Sequence, residues 1–153
     1  TPKTAIEVSL DAPAAVAADW LAVGVWAGDA PLAGPAAAID ATTSGLISKL
    51  RTSGDVTGKH LELTPVLTPS GLAAKRLLIV GLGKQDAATR AVLHDAAAAA
   101  ARHVTGKKVG TLAFAVPSPE FTLAAGVGLA QGCQGPGVRK TTPTRHAPDR
   151  LVI

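Results

Sequence analysis

Along the 153 residues, short apolar runs alternate with longer stretches in which apolar side chains recur every three or four positions. The run Leu77-Leu78-Ile79-Val80, closed by Gly81-Leu82-Gly83-Lys84, organises the rest. A short continuous apolar run reads as a strand buried on both faces, the kind found in the middle of an α/β sheet covered by helices. The glycines let the chain turn tightly as it leaves the sheet. In open α/β sheets this exit edge is where ligands tend to bind.

The remaining pattern fits around that strand. Ala5–Leu10 alternates at Ile6, Val8 and Leu10 and reads as a short strand; Pro13 sets a turn or short helical start in Ala12–Ala18. Asp19–Trp26 is a second strand. Ile39, Thr43, Leu46, Ile47 and Leu50 share one face of a helix expected over Pro35–Thr52, with Gly54 as its stop. His60–Val66 alternates as a half-exposed strand, and Pro65 places it at an edge. Asp86–Val104 is a second helix, capped by Asp86 or Thr89 and rich in alanine, so that it can lie close to a sheet. Lys108–Val116 is another strand. Ser118-Pro119-Glu120 has the form of a helix start, and the helix that follows runs to about Gln131, loosened by Gly126 and Gly128. Gly132–Gly137 breaks the pattern, and Val138–Arg150 is rich in Pro, Thr and basic residues, as in an exposed linker. Leu151–Ile153 looks like the first residues of a further strand. The alternation predicts an α/β domain of three layers, a mixed β-sheet flanked by helices, over residues 1–137, followed by a linker over 138–153.

Composition narrows this. The hydrophobic fraction is 47% but largely alanine, with aromatics at only 3%, so the core is built in thin layers from Ala, Val, Leu and Ile. One cysteine, Cys133, excludes an internal disulfide framework and fits a reducing, cytoplasmic setting. No apolar run approaches the roughly 18 residues of a membrane span, and no signal peptide is visible. The chain lacks an initiating methionine and is expected to start after a trimmed beginning. The net charge of +4 alone would suggest nucleic acid. However, Arg139, Lys140, Arg145 and Arg150 lie in the linker, the other cations are scattered, and few aromatics exist to stack on bases. A nucleic-acid contact by the tail is at most a secondary role.

Candidate chemistry is sparse. Gly81-Leu82-Gly83 begins like a dinucleotide fingerprint, but Asp86 stands where the third glycine belongs and would repel a pyrophosphate. A P-loop fails as well, because Gln85 follows Lys84 and no glycine stands five residues before Gly83. The Gly81–Lys84 edge therefore reads as a tight strand exit, with a small ligand as the alternative. His60, His94, His103 and His146 share no ligand spacing and read as solvated surface groups. Cys133 has no histidine near it in sequence and reads as a structural thiol rather than a nucleophile. Asp40, Asp86 and Asp95 read as helix-surface or capping groups. Asparagine, tyrosine and methionine do not occur at all. No catalytic, cofactor-binding or metal-binding residue is assigned.

Three segments carry a resemblance: DWLAVGVWAGD (19–29), LAGPAAAIDATTSGLISKLRTSGDVTGKHLEL (32–63) and AAKRLLIVGLGKQDAATRAVLHDAAAAAARHV (73–104). Together with the tail RKTTPTRHAPDRLVI (139–153), they resemble the amino-terminal domain of the leucyl aminopeptidase (cytosolic leucine aminopeptidase) family and the linker that follows it. The likeness covers roughly 19–153 and is most specific at RLLIVGLGK and the alanine-rich helix after it. The family usually has aromatics after its last helix of this domain, where this chain has GCQGPGV. The resemblance implies a macro-domain-like fold and a non-catalytic, structural or assembly role. The parent would be a hexameric exopeptidase that removes amino-terminal residues, often leucine. Two divalent ions, zinc or manganese, would be held in its carboxyl-terminal peptidase domain by lysine and carboxylates around an Asn-Thr-Asp-Ala-Glu-Gly-Arg motif. This chain has no asparagine and no such run, so none of those residues is carried over. The alternative is a free-standing macro-like module that binds a nucleotide or ADP-ribose at the Gly81–Lys84 edge.

Overall fold

The computed structural model describes residues 4–133 and 148–153. Six strands form one sheet: β1 (Ala5–Glu7), β2 (Trp20–Trp26), β3 (Leu63–Val66), β4 (Arg76–Gly83), β5 (Thr111–Ala115) and β6 (Arg150–Val152), in the order β1-β6-β5-β2-β4-β3. Only β3 runs antiparallel; every other pairing is parallel. The helices are α1 (Gly34–Thr42), α2 (Leu46–Ser53), α3 (Arg90–Val104) and α4 (Thr122–Gly132). The expected α/β architecture of three layers with a mixed sheet is the one observed.

Strand alternation divides the core in two. Trp20, Ala22, Leu78, Val80, Leu112, Phe114 and Leu151 face α3 and α4. Leu21, Val23, Leu77, Ile79, Ala113 and Val152 face α1 and α2. Because both faces are covered, β2 and β4 are buried along almost their whole length, which is why their sequences are continuous apolar runs rather than alternating ones.

Several expectations are corrected. β4 is not the middle of the sheet: β3 alone lies outside it, and β5 and β2 hold the centre. Its apolar run reports burial by helices above and below, not its rank in the strand order. The single helix expected over Pro35–Thr52 is two, because Ser44 (φ 59°) and Gly45 (φ 78°) adopt left-handed backbone. Ile39 and Ile47 stay fully buried on both sides of the break, so the apolar period survives while the helix does not. Asp40 bridges the gap, accepting from the Ser48 N–H at 2.9 Å and the Ser48 hydroxyl at 2.6 Å. Strand β3 begins only at Leu63, because Leu61 has φ 64° and turns the chain. Thr89, not Asp86, caps α3, its hydroxyl accepting from the Val92 N–H at 3.2 Å. Ser118 does not cap; its hydroxyl bonds Glu120 at 3.3 Å and a single 3-10 turn precedes α4.

Gly128 does not loosen α4. A Cβ there would stand 2.2 Å from the His94 carbonyl oxygen, so the glycine is what lets α4 approach α3. Finally, β6 inserts between β1 and β5, with Leu151 and Val152 buried on opposite faces of the sheet. Arg150–Val152 therefore belongs to the sheet; residues 138–147 of the expected linker lie outside the described residues.

Candidate functional site

Five parallel strands end along one edge, at Glu7, Val152, Ala115, Trp26 and Gly83. The chain leaves β2 toward α1 on one face and leaves the neighbouring β5 toward α4 on the other. The β2–β5 boundary is therefore the topological switch point, where open α/β sheets bind ligands. The hollow at that point, lined by Trp26, Pro35, Ala115, Pro117, Arg51 and Gln85 among others, holds only about 40 Å³. Small-molecule sites hold roughly 300–1,000 Å³. Beside it, at the ends of β1, β6 and β5, lies a groove of about 410 Å³. Its lining is mostly apolar, and Asp11 is its only ionisable side chain among the described residues. That chemistry suits an apolar partner better than a pyrophosphate.

The glycine exit of β4 is filled by the chain itself. The Gly81 N–H donates to the Glu62 carbonyl at 2.7 Å, and the Gly83 N–H donates to the Gly58 carbonyl at 2.9 Å. The Gly83 carbonyl accepts from the Ala27 N–H at 2.8 Å. A Cβ on Gly81 would lie 1.8 Å from the Lys59 carbonyl oxygen, and one on Gly58 would lie 2.4 Å from that of Trp26. A phosphate cradle needs backbone N–H groups aimed at the anion; the two glycine N–H groups here are spent on the 58–62 turn.

Glu62 holds that turn. Its carboxylate accepts from the Thr57 N–H (2.8 Å), the Thr57 hydroxyl (2.6 Å) and the Gly58 N–H (3.3 Å). Burial pushes the Glu62 carboxyl up, but the bonds from Thr57 and Gly58 and the charge of Lys59 outweigh it and hold the group below its usual range. Asp19 does similar work at the opposite edge. Its Oδ2 accepts from the Gly110 N–H at 2.6 Å and the Thr111 N–H at 3.0 Å, and Lys75 Nζ stands 3.2 Å from Oδ1. The Thr111 N–H, against the opposing effect of burial and with help from Gly110 and Lys75, draws its carboxyl below the ordinary aspartate value. Neither residue stood out in the sequence. A lone acid just before an apolar strand (Asp19) and one four residues after Gly58 (Glu62) were the only available signals.

The histidines are not brought together. His94 is half-buried and spans two helices, with Nδ1 3.1 Å from Asp95 and Nε2 2.7 Å from Gln131 of α4. The expectation of a simply solvated group is wrong for it, because the close α3–α4 packing brings Gln131 within reach. The Asp95 carboxylate first, and then Gln131, hold its pKa above the ordinary histidine value. His103 is exposed and meets Trp20 edge-on at 5.9 Å. His146 lies outside the described residues. Cys133 is buried in the α3–α4 core. Among the described residues, no three His, Cys, Asp or Glu side chains form a metal set. Among them, too, no helix is long and apolar enough to cross a membrane.

The amino-terminal domain of the cytosol aminopeptidase family matches residues 22–133. The chain belongs to that family. A "Probable cytosol aminopeptidase" of Burkholderia pseudomallei is 36% identical over 134 residues, which are 86% of this chain and 26% of that protein. This family domain thus spans about a quarter of the length of that curated relative. Among solved structures, a tomato leucine aminopeptidase mutant shares the fold with a TM-score of 0.77 at 23% identity, over 99% of this chain and 32% of that one. The macrodomain of Mycobacterium tuberculosis DarG shares it with a TM-score of 0.66 at 14% identity, over 98% of this chain and 97% of that one. The macro-like fold expected from the sequence is therefore observed.

Proposed function

We propose that this family domain is the non-catalytic support of a metal-dependent aminopeptidase that removes amino-terminal residues such as leucine from peptides. In this reading the peptidase domain follows in the same chain and holds two zinc or manganese ions. The parent assembles as a hexamer in the cytoplasm. The observation that carries the reading is the β4 exit, where a ligand-binding loop would present free N–H groups and this chain turns both glycine N–H groups onto its own backbone. The domain's specific polar contacts, at Asp19, Glu62, Asp40 and His94, all join one piece of the domain to another.

The experiment is leucine-anilide hydrolysis by the full-length protein. Activity that is abolished by a chelator and restored by manganese or zinc supports the reading; activity indifferent to chelation contradicts it. Light scattering that gives a mass of six chains supports the hexamer.

A second reading, a module binding ADP-ribose or a nucleotide, draws on the groove at the strand ends, whose size falls in the ligand range. Its apolar lining disfavours a diphosphate. Calorimetric titration with ADP-ribose decides, since no heat at millimolar ligand rejects it.

A further inference from the structure

The groove at the ends of β1, β6 and β5 is part of a larger apolar surface. Ile6, Val8 and Leu10 are 56%, 66% and 100% exposed along the open edge of the sheet. Leu123 and Val127, four residues apart and so on one face of α4, are 79% and 42% exposed. Ile153 ties the two together. Its N–H donates to the Glu7 carbonyl and its carbonyl accepts from the Ser9 N–H, both at 2.9 Å. Its Cδ1 stands 2.8 Å from where a Cβ on Gly126 would be. Val8, Leu10 and Ile153 line the groove together with Thr122, the residue before Leu123. Ile6 pairs with Leu151 across the strands and so shares the sheet face that α4 covers.

We propose that this surface, from Ile6–Leu10 across Ile153 to Leu123 and Val127, is where the following peptidase domain docks. The inference rests on the reading above and adds the place of contact. Contiguous exposed apolar patches mark interaction sites. The choice of occupant follows from where the chain goes. About three quarters of the length of the matched relative lies outside this domain, and Ile153 fixes the departing main chain at the groove itself. A domain tethered there meets the patch at an effective concentration of order millimolar, without needing any association between copies. Among the described residues the groove carries almost no charge, which calls for an apolar contact rather than an anionic one.

The test uses the full-length protein with a photoreactive benzophenone amino acid at position 10 or, separately, at position 123. Both positions are exposed, so the domain folds with either replacement. Irradiation is expected to give adducts within one chain, joining these positions to residues beyond 153, in a yield unchanged by about tenfold dilution. Adducts that join two chains, whether or not their yield falls on dilution, overturn the proposal, as does the absence of adducts beyond residue 153. If leucine-anilide hydrolysis is chelator-sensitive and no such adduct forms, the docking proposal alone fails. If the full-length protein carries no peptidase domain, the functional reading fails with it.

Discussion

The Gly81 Cα and the Lys59 carbonyl oxygen are packed so closely that a methyl group on Gly81 would come within 1.8 Å of the oxygen. Backbone meets backbone there, and neither side can swing away. Gly81→Ala therefore forces the 58–62 turn off the sheet and breaks the bond between the Gly81 N–H and the Glu62 carbonyl. A loss of about 3 kcal/mol is expected, read as a lower urea midpoint with the slope unchanged.

Glu62 gives the same turn a second test. Glu62→Ala removes three hydrogen bonds to Thr57 and Gly58. It is expected to cost about 2 kcal/mol and to speed amide exchange at Gly83, whose N–H depends on the Gly58 carbonyl. Unchanged exchange at Gly83 would show that the turn holds without the carboxylate.

Gly126 and Gly128 lie two residues apart in α4 and respond in opposite ways. An added methyl at 126 meets only the flexible tip of Ile153, whereas one at 128 meets the His94 carbonyl. Gly126→Ala is expected to change stability by no more than about 1 kcal/mol, the gain in helix propensity offsetting the contact. Gly128→Ala is expected to cost about 2 kcal/mol despite the same gain. Equal urea midpoints for the two variants would contradict the packing described.

The two titrating bridges give opposite pH dependences. Asp19 has a lowered pKa, so its contribution is complete above the ordinary aspartate value of about 4 and is lost as the pH falls through the folded value below it. His94 has a raised pKa, so its contribution is complete below about 6.5 and is lost as the pH rises through the folded value above it. Stability measured against pH should therefore lose part of its acid-side slope in Asp19→Asn, Glu62 carrying another part, and part of its neutral-side slope in His94→Gln. A neutral-side slope that survives His94→Gln would place that titration elsewhere.

The fold was largely legible because burial on both faces leaves a direct mark. Leu77–Val80 and Leu21–Val25 are apolar without a gap, and Pro65 marks an edge strand. What escaped had no periodic signature. Ser44-Gly45 breaks a helix whose apolar period continues through the break. Gly128 looked like a weak spot in a helix until α3 was seen against it. The rank of β4 in the sheet depends on where β5 and β6 insert, which no local pattern records. The candidate site was legible only in its failed fingerprints at Gln85 and Asp86; the positive reason, the turn held by Glu62, is a contact between segments some twenty residues apart.

In the proposed function this domain supplies support and the peptidase domain that follows supplies the chemistry. The most direct measurement is the chelator-sensitive turnover of leucine anilide by the full-length protein carrying Lys84→Ala, at the exit edge of β4. The expected kcat lies within about twofold of that of the unaltered protein, since a residue that touches neither substrate nor metal leaves the barrier unchanged. A loss of more than about tenfold in kcat, equivalent to about 1.4 kcal/mol, with the fold intact, would contradict it.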